Sequence, residues 1–244
     1  MNESVYQARQ KLYKTLNVPL SKADMRRLRL KQRVRLYTWE TTLRGLLFIK
    51  RLMDGVLSLI AILIFLPLFL LVGLLIVIED GWPLLFVQDR VGQDGRIFKF
   101  YKFRSMYRDA EQRKDALLAR NESGDGVIFK MKNDPRVTRV GRLLRRYSVD
   151  EMPQFLNVLL GDLSLVGPRP PVPREVAEYT LEDRKRLHVK PGLTCLWQIK
   201  GRSDIPFNEQ VSLDLEYIHS QSLLKDVAIM LKTVPAVLLG RGAY

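Results

Sequence analysis

Residues 55–78, GVLSLIAILIFLPLFLLVGLLIVI, form 24 consecutive positions without a charge. A run of that length matches the hydrocarbon thickness of a bilayer, which takes roughly 20 helical residues to cross. It begins more than fifty residues into the chain, behind a basic arm, so a cleaved signal peptide is a poor reading. The chain is therefore expected to be a membrane protein. Pro67 lies in the middle of the run, where it removes a backbone hydrogen bond and favours a kink. Two geometries follow: a kinked spanning helix, which membranes tolerate, or a re-entrant hairpin that enters and leaves on one face. Residues 1–54 carry 13 Lys/Arg against 4 acids, and residues 79–244 carry 27 against 22. A single span would place one of these two basic segments outside, against the positive-inside tendency, although long domains follow that rule poorly. The residues alone leave both geometries open.

The 244-residue chain has a formal charge of +14, which points to an anionic partner: nucleic acid, lipid headgroups or a phosphorylated substrate. Its single cysteine, Cys195, excludes an intramolecular disulfide and a Cys-rich zinc site. Two histidines, His188 and His219, argue against a His-based metal cluster. Ahead of the apolar run, residues 21–54 mix Arg and Lys with Leu28, Val34, Leu36, Trp39, Leu43 and Leu47. Ser21 and Asp24 offer a helix start there. This composition suits a basic amphipathic helix on anionic lipids; a solvated helix or a coiled-coil partner surface is the plainer alternative. The expected organisation is a basic arm over 1–45, a membrane helix over 46–80 and a cytosolic catalytic domain with interfacial helices over 81–244.

The expected fold class is α+β and membrane-associated: a membrane helix joined to a compact, mostly helical domain with a small β-hairpin. Residues 82–103 read as two strands, with Asp94-Gly95 as the hairpin turn. Residues 107–121 are charged and read as helical, and 124–147 pass from a turn through a short strand into a helix. Arg136, Arg139, Arg142 and Arg145 recur every three residues, a row that faces one way on a helix. Such a row is commonly solvated, but beside a membrane anchor headgroup or phosphate binding rivals that reading. Residues 152–162 read as a helix stopped by Gly161. Four prolines in LVGPRPPVP (165–173) exclude regular structure and present Arg169 from a stiff loop. Residues 190–204 read as a further turn leading to two terminal helices.

Between these elements stands RRYSVDEMPQF (145–155). Ser148 and Glu151 fit a capping box, with Asp150 in the acidic first turn that a helix dipole favours. Pro153 blurs that register, because it is harmless only within a first turn. The chain has no Gly-x-x-x-x-Gly-Lys loop and no Gly-x-Ser-x-Gly. An aspartate can itself attack phosphorus and form an acyl phosphate. Carboxylates also hold Mg²⁺ together with substrate phosphates, and arginines offset charge on a transferring phosphoryl group. An acidic pair amid arginines on a membrane-bound chain suits phosphoryl transfer to a lipid phosphate.

Three segments carry a resemblance: KFRSM (102–106), NDPRVTRVGRLLRRYSVDEMPQFLNVLLGDLSLVGPRP (133–170) and KPGLTCLWQIKGRSD (190–204). Over about residues 45–240 the chain resembles the bacterial sugar transferase family, the monotopic phosphoglycosyl transferases. The resemblance implies transfer of sugar-1-phosphate from a UDP-sugar to polyprenyl phosphate, with release of UMP, by a two-step route that uses Mg²⁺. It implies Asp150 as the nucleophile that holds the phospho-sugar, with Glu151 supporting the metal or the acid/base steps. Arg169 matches a phosphate-binding arginine and Arg145 an arginine of lipid headgroup contact. Lys102 and Arg104 lie in the K-x-R-S/T-M block. Pro67 matches the proline at which the family's re-entrant helix breaks. The implied partners are a UDP-sugar, polyprenyl phosphate and anionic membrane lipids, with a homodimer as one option, at the cytoplasmic face of a bacterial inner membrane. Larger relatives carry several membrane helices ahead of this domain, where this chain has its basic arm. Cys195 stands where glycine is frequent in relatives, and a buried intracellular thiol is usually inert.

A membrane-tethered basic binding protein would explain the charge but not the acidic pair or the proline-locked arginine. No nucleic-acid-binding module is recognisable, so no nucleic acid partner is expected. A glycoside hydrolase needs carboxylates several ångströms apart across a sugar, an awkward demand on sequence neighbours.

Overall fold

The computed structural model describes Gln7, Lys11, residues 22–113, Met131, and residues 134–201 and 205–238. The chain clusters into two compact units, residues 1–50 and 51–244. In the first, helix α1 (Lys22–Asp80) begins as an arm whose Leu30, Val34, Leu36, Trp39 and Leu47 are exposed among basic residues. Glu40 and Arg44 pair one helical turn apart at 2.7 Å. The expected start at Ser21 lies outside the described residues.

Helix α1 continues without interruption through Pro67. The expected break at that proline is therefore not seen, and the hairpin has no reversal of the backbone to support it. One proline removes one i→i−4 bond, and the leucine-rich segments on either side keep the rest of the ladder. Within the second unit, both ends of the apolar run are fastened to the same globular body. At the front, Arg51 donates to the carbonyls of Val158 and Leu159, the latter at 2.7 Å. One turn on, the buried Asp54 carboxylate accepts from Ser164 Oγ at 2.7 Å and Leu165 N at 3.2 Å. At the rear, Glu79 accepts from the backbone N–H groups of Arg139 and Val140, and Asp80 pairs with Arg104 at 3.2 Å. Between these anchors Leu59, Ile60, Leu63, Ile64 and Leu66 are exposed, and a narrow set, Ser58, Val72, Gly73 and Ile76, is buried.

Strands β1 (Leu85–Val91) and β2 (Ile97–Phe103) pair antiparallel, with Leu85 opposite Phe103 and Val91 opposite Ile97. Asp94 and Gly95 take φ of 54° and 83° at the turn, as the Asp-Gly signal requires. Residues 108–113 form turns rather than the expected helix, and the rest of that expected helix and the strand before residue 131 lie outside the described residues.

Helix α2 (Arg139–Arg146) is capped by Thr138 Oγ1, which accepts from Gly141 N at 2.8 Å. A Cβ at Gly141 would lie 2.0 Å from Ser105 O, so only glycine lets α2 sit directly on the exit of β2. The expected arginine row does not form one face. Arg136 precedes the helix and is buried against Asp134 at 2.7 Å, whereas Arg139 and Arg142 are exposed and Arg145 is half-buried.

A 3₁₀ turn (Val149–Glu151) leads into α3 (Gln154–Leu160), which Gly161 ends at φ 93° as expected. Strand β3 (Ser164–Val166) pairs parallel with β4 (Gly192–Thr194). Leu165 and Val166 thus belong to a strand, and Pro173 opens α4 (Pro173–Ala177), so only the middle of the proline-rich segment is irregular. Residues 190–204, read as a turn, contain β4 and α5 (Leu196–Lys200). Two terminal helices follow as expected, α6 (Phe207–His219) and α7 (Leu223–Leu238). The core joins β2, α3, β3 and these helices through Phe98, Phe100, Val158, Leu163, Trp197, Leu213 and Ile229. An Arg186–Asp214 ion pair is buried beside it.

Candidate active site

The acidic pair sits on the 3₁₀ turn, not in a capping box. Ser148 is left-handed at φ 53° and its side chain makes no cap hydrogen bond. Pro153 explains the displacement: it occupies the N-cap position of α3, so the regular helix starts one turn later than the Ser-x-x-Glu pattern implies. Asp150 is buried, and Glu151 reaches out to β2, where Lys102 Nζ donates to its Oε1 at 2.6 Å.

Lys102 is held by its strand, and the strand is held by Asn157 of α3. The fully buried Asn157 amide donates to Lys99 O at 2.6 Å and its Oδ1 accepts from Tyr101 N at 3.1 Å. One asparagine thus fixes β2 against the helix that follows the acids. Lys102 Nζ also lies 5.5 Å from the Phe100 ring centre, and Arg90 of β1 lies 5.2 Å from the same ring. Arg145, on the last turn of α2, donates through Nε to Ser105 Oγ at 3.1 Å.

The GPRP loop behaves as its composition predicts. Pro168 and Pro170 are fully buried while Arg169 between them is exposed, its guanidinium 6.0 Å from the Trp197 ring. Gly167 and Gly192 let the loop approach β4, since a Cβ on Gly192 would fall 2.0 Å from Gly167 N. Arg90 ties β1 to this loop through Pro170 O at 2.9 Å, and Val91 N donates to Pro171 O at 2.9 Å.

These charges treat the two acids differently. Burial pushes the Asp150 carboxyl above its ordinary range, with Glu151 adding to the push and Lys102 and Arg145 opposing it. Burial acts in the same direction on Glu151, but Lys102, Arg169 and Arg90 overcome it and hold that carboxyl at about 2. The Arg90 guanidinium, buried and facing Arg169, is lowered to about 10. One acid is thus a fixed anion, and the other is a desolvated carboxyl whose protonated form burial favours.

Lys102, Arg145 and Arg169 therefore converge electrostatically on Asp150 and Glu151. Arg104 is directed elsewhere: its Nη2 donates to Asp80 O and Gly81 O, fastening the end of α1. Pro67 lies on α1, away from these groups in the chain. Sequence reasoning missed Arg90 and Asn157. The signal for Arg90 was a charged residue in a strand next to apolar Val91; nothing marked Asn157, whose role depends on a contact 56 residues away.

Among the described residues no cluster of three or more His, Cys, Asp or Glu could hold a metal. The donor set at the pair is two carboxylates, hard oxygen ligands. That fits Mg²⁺, which commonly takes one or two carboxylates and completes its shell with substrate phosphates and water.

Residues 46–240 match the family model described as bacterial sugar transferase. The galactosyl transferase CpsE of Streptococcus agalactiae serotype III (strain NEM316) is 52% identical over 166 residues, 68% of this chain and 37% of that protein. The exopolysaccharide production protein ExoY of Rhizobium meliloti (strain 1021) is 40% identical over 198 residues, 80% of this chain and 88% of that protein. The undecaprenyl-phosphate galactose phosphotransferase of Salmonella typhimurium is 42% identical over 200 residues, 81% of this chain and 42% of that protein. The chain spans less than half the length of the first and third of these relatives and most of the second. The family match takes in the acidic pair, the GPRP loop, the Lys102 strand and Pro67 alike, and on that basis the chain belongs to the bacterial sugar transferase family.

Proposed function

We propose that this protein transfers sugar-1-phosphate from a UDP-sugar to polyprenyl phosphate through a covalent phospho-sugar on Asp150, releasing UMP and starting exopolysaccharide, capsule, O-antigen or glycoconjugate synthesis. The observation that carries this reading is a buried carboxylate beside a fixed carboxylate, both facing cations, on a body fastened to an apolar segment. Relatives named for undecaprenyl-phosphate sugar phosphotransfer support it, with galactose in one name, glucose in another and N-acetylgalactosamine in a third. A purely binding role leaves the buried acid pair without a purpose.

In the first step an Asp150 carboxylate oxygen attacks the sugar-bearing phosphorus. The new O–P bond forms as the bridging P–O bond breaks, and UMP leaves with that electron pair. Burial removes water that would otherwise shield the carboxylate, and Lys102 and Arg145 favour its ionised form. Arg169, exposed on a rigid loop, meets the diphosphate and offsets its charge. In the second step an oxygen of the polyprenyl phosphate attacks the same phosphorus. The Asp150–phosphorus bond breaks, the carboxylate is restored, and a polyprenyl diphosphate sugar results.

Glu151, held at about 2, remains an anion through both steps, so it serves better as metal support than as a proton donor. Asp150 and Glu151 would hold Mg²⁺, which supplies charge neutralisation on the phosphates undergoing transfer.

The anchoring at both ends of the apolar run supports a monotopic arrangement. Asp54 and Glu79 are about 38 Å apart along a straight helix at 1.5 Å per residue, yet both bond to one globular body. A bilayer cannot separate them without carrying that body across. The exposed apolar stretch around Pro67 then lies within one leaflet and both basic segments stay at the cytoplasmic face of the inner membrane. Helix α7 adds an exposed stripe, Leu224, Val227, Leu231 and Val234, suited to lying on the same surface.

The direct test is incubation with a sugar-labelled UDP-sugar and Mg²⁺ in the absence of acceptor. A labelled adduct should map to Asp150 with stoichiometric UMP release. Full UMP release by Asp150→Asn would overturn the assignment. A screen of UDP-glucose, UDP-galactose and their N-acetylated analogues then identifies the sugar.

A further inference from the structure

Two apolar clusters divide the body, and the acidic pair is backed by the smaller one. Among the described residues the main core takes Phe98 and Phe100 from β2 and its other members from α3 onward, with no side chain of α1, α2 or the 3₁₀ turn. Those three elements meet in a second cluster instead. Val72 and Ile76 of α1 and Leu144 of α2 are buried in it with Phe103, and Val149 of the turn packs on it. We propose that Val72 and Ile76 are positioning residues for the transfer: through Leu144 and Val149 they fix where Arg145 and Asp150 stand. The inference rests on the phosphotransfer reading above and makes the membrane segment a working part of its first step.

Adjacency along the chain carries the effect. Leu144 directly precedes Arg145, and Val149 directly precedes Asp150. Each apolar side chain shares a backbone with the charge beside it, so a shift of one carries the other. Packed interiors pass such shifts on rather than absorb them. Helix α1 also sets α2 at its start, where Glu79 accepts from Arg139 N at 2.8 Å and Val140 N at 3.0 Å. Val72, Ile76 and Glu79 recur at i, i+4 and i+7, which is one face of a helix. That face meets α2 near both of its ends, while Leu71 and Leu75 between them are exposed.

Lys102 and Arg169 have supports of their own. Phe100, on the same strand as Lys102, belongs to the main core, and Asn157 bonds to Lys99 O and Tyr101 N just before it. Arg169 stands between two buried prolines, Pro168 and Pro170. Loosening the face of α1 therefore reaches the nucleophile and Arg145 and leaves Lys102 and Arg169 in place. The signature is a slower chemical step at unchanged affinity for the nucleotide sugar, which a general loss of folded protein does not give.

The test uses the full-length protein in nanodiscs and follows UMP release from a UDP-sugar without acceptor. Val72→Ala removes packing behind the turn. Leu71→Ala changes the exposed face beside it, and Val211→Ala makes the same deletion in a separate cluster with Tyr179 and Phe207. Val72→Ala should slow adduct formation roughly tenfold or more, since an ångström of misplacement can cost about 10²-fold. KM for the UDP-sugar should stay within about twofold, and both controls should keep their rate within the same margin. Ile76→Val, a milder deletion at the other buried position, should give the same split at a smaller size. Hydrogen exchange supplies a readout independent of activity. The amides of Ser148, Glu151 and Met152 donate to Arg145 O, Ser148 O and Val149 O. They should exchange several times faster in Val72→Ala than in the wild type or the controls. An equal loss of rate in Val211→Ala, or unchanged exchange at the turn in Val72→Ala, would overturn the positioning assignment. Absence of any adduct and UMP release in the wild type would instead overturn the phosphotransfer reading, with the exchange measurement still deciding whether α1 backs the turn.

Discussion

Lys102 Nζ and Glu151 Oε1 lie 2.6 Å apart, joining the end of a β-strand to the turn that carries the proposed nucleophile. The pair is mostly screened from solvent, with side-chain exposures of 18% and 28%. Removing one member therefore strands the other, which costs more than the loss of a surface ion pair.

Lys102→Met should release Glu151 from its low value and let burial raise it. Glu151 is held at about 2 against an ordinary value near 4.5, so its contribution to stability is present above the ordinary value and is lost as pH falls through about 2. The variant should lose its tolerance of acid first: activity between pH 5 and 6 should fall further than at pH 8. At pH 8 the loss should be about 10²-fold or more, as for other preorganised charges at a transferring group. Adduct formation as a function of pH measures both effects.

Asp150 carries the opposite sign. Its carboxyl is raised in the folded protein, so the folded state binds a proton that the unfolded state releases. Stability from that proton is present below the ordinary value and is lost as pH rises through the folded one. Asp150→Asn should therefore abolish adduct formation while raising Tm at pH 8, and the gain should vanish near pH 4. A thermal-shift series across that range reads it directly. A variant that lost both activity and stability at pH 8 would mean that Asp150 is a structural group.

The contrast between these acids was only half legible in the sequence. Asp150 and Glu151 are neighbours in a pattern that fits a capping box, and local chemistry alone favours that reading. Pro153 changes the outcome, because it moves the helix start past the acids and leaves them on a 3₁₀ turn. The Asp-Gly hairpin, the Gly161 stop and the stiff GPRP loop were readable because each depends on backbone preferences of the residues involved. The arginine row failed for a related reason: periodicity assumes a helix through all four positions, and Arg136 is held outside it by Asp134. Arg90 and Asn157 act through contacts between distant segments, which no local pattern encodes.

Asp54 offers a separate test of how the apolar segment is docked. Its carboxylate is 2% exposed and accepts from Ser164 Oγ and Leu165 N. Asp54→Ala leaves both donors buried without this acceptor, at a cost of roughly 1–3 kcal/mol. For a domain of this size that corresponds to about 2–4 °C in Tm for each kcal/mol. Proteolysis in detergent should then cut between residues 51 and 58 earlier than in the wild type. Asp54→Asn keeps an acceptor and should lose less. Equal losses would assign the effect to charge rather than to hydrogen bonding.

The proposed monotopic arrangement makes the sharpest prediction about topology, because it forbids one outcome. Thr42 and Arg96 are exposed, on opposite sides of the apolar run in sequence, and Cys195 is buried with its thiol pushed up by that burial. Thr42→Cys and Arg96→Cys should both react with a membrane-impermeant maleimide only when the cytoplasmic face is open, as in inverted vesicles. A spanning helix would instead expose one of them in intact spheroplasts. The anchors at Asp54 and Glu79 argue against that result, since breaking either would leave a buried carboxylate or an uncapped helix start on the catalytic body. If labelling did come from opposite faces, the contact of both helix ends with one body would have to be given up as well. The pair of thiols thus tests the docking of α1 and its path through the bilayer in one measurement.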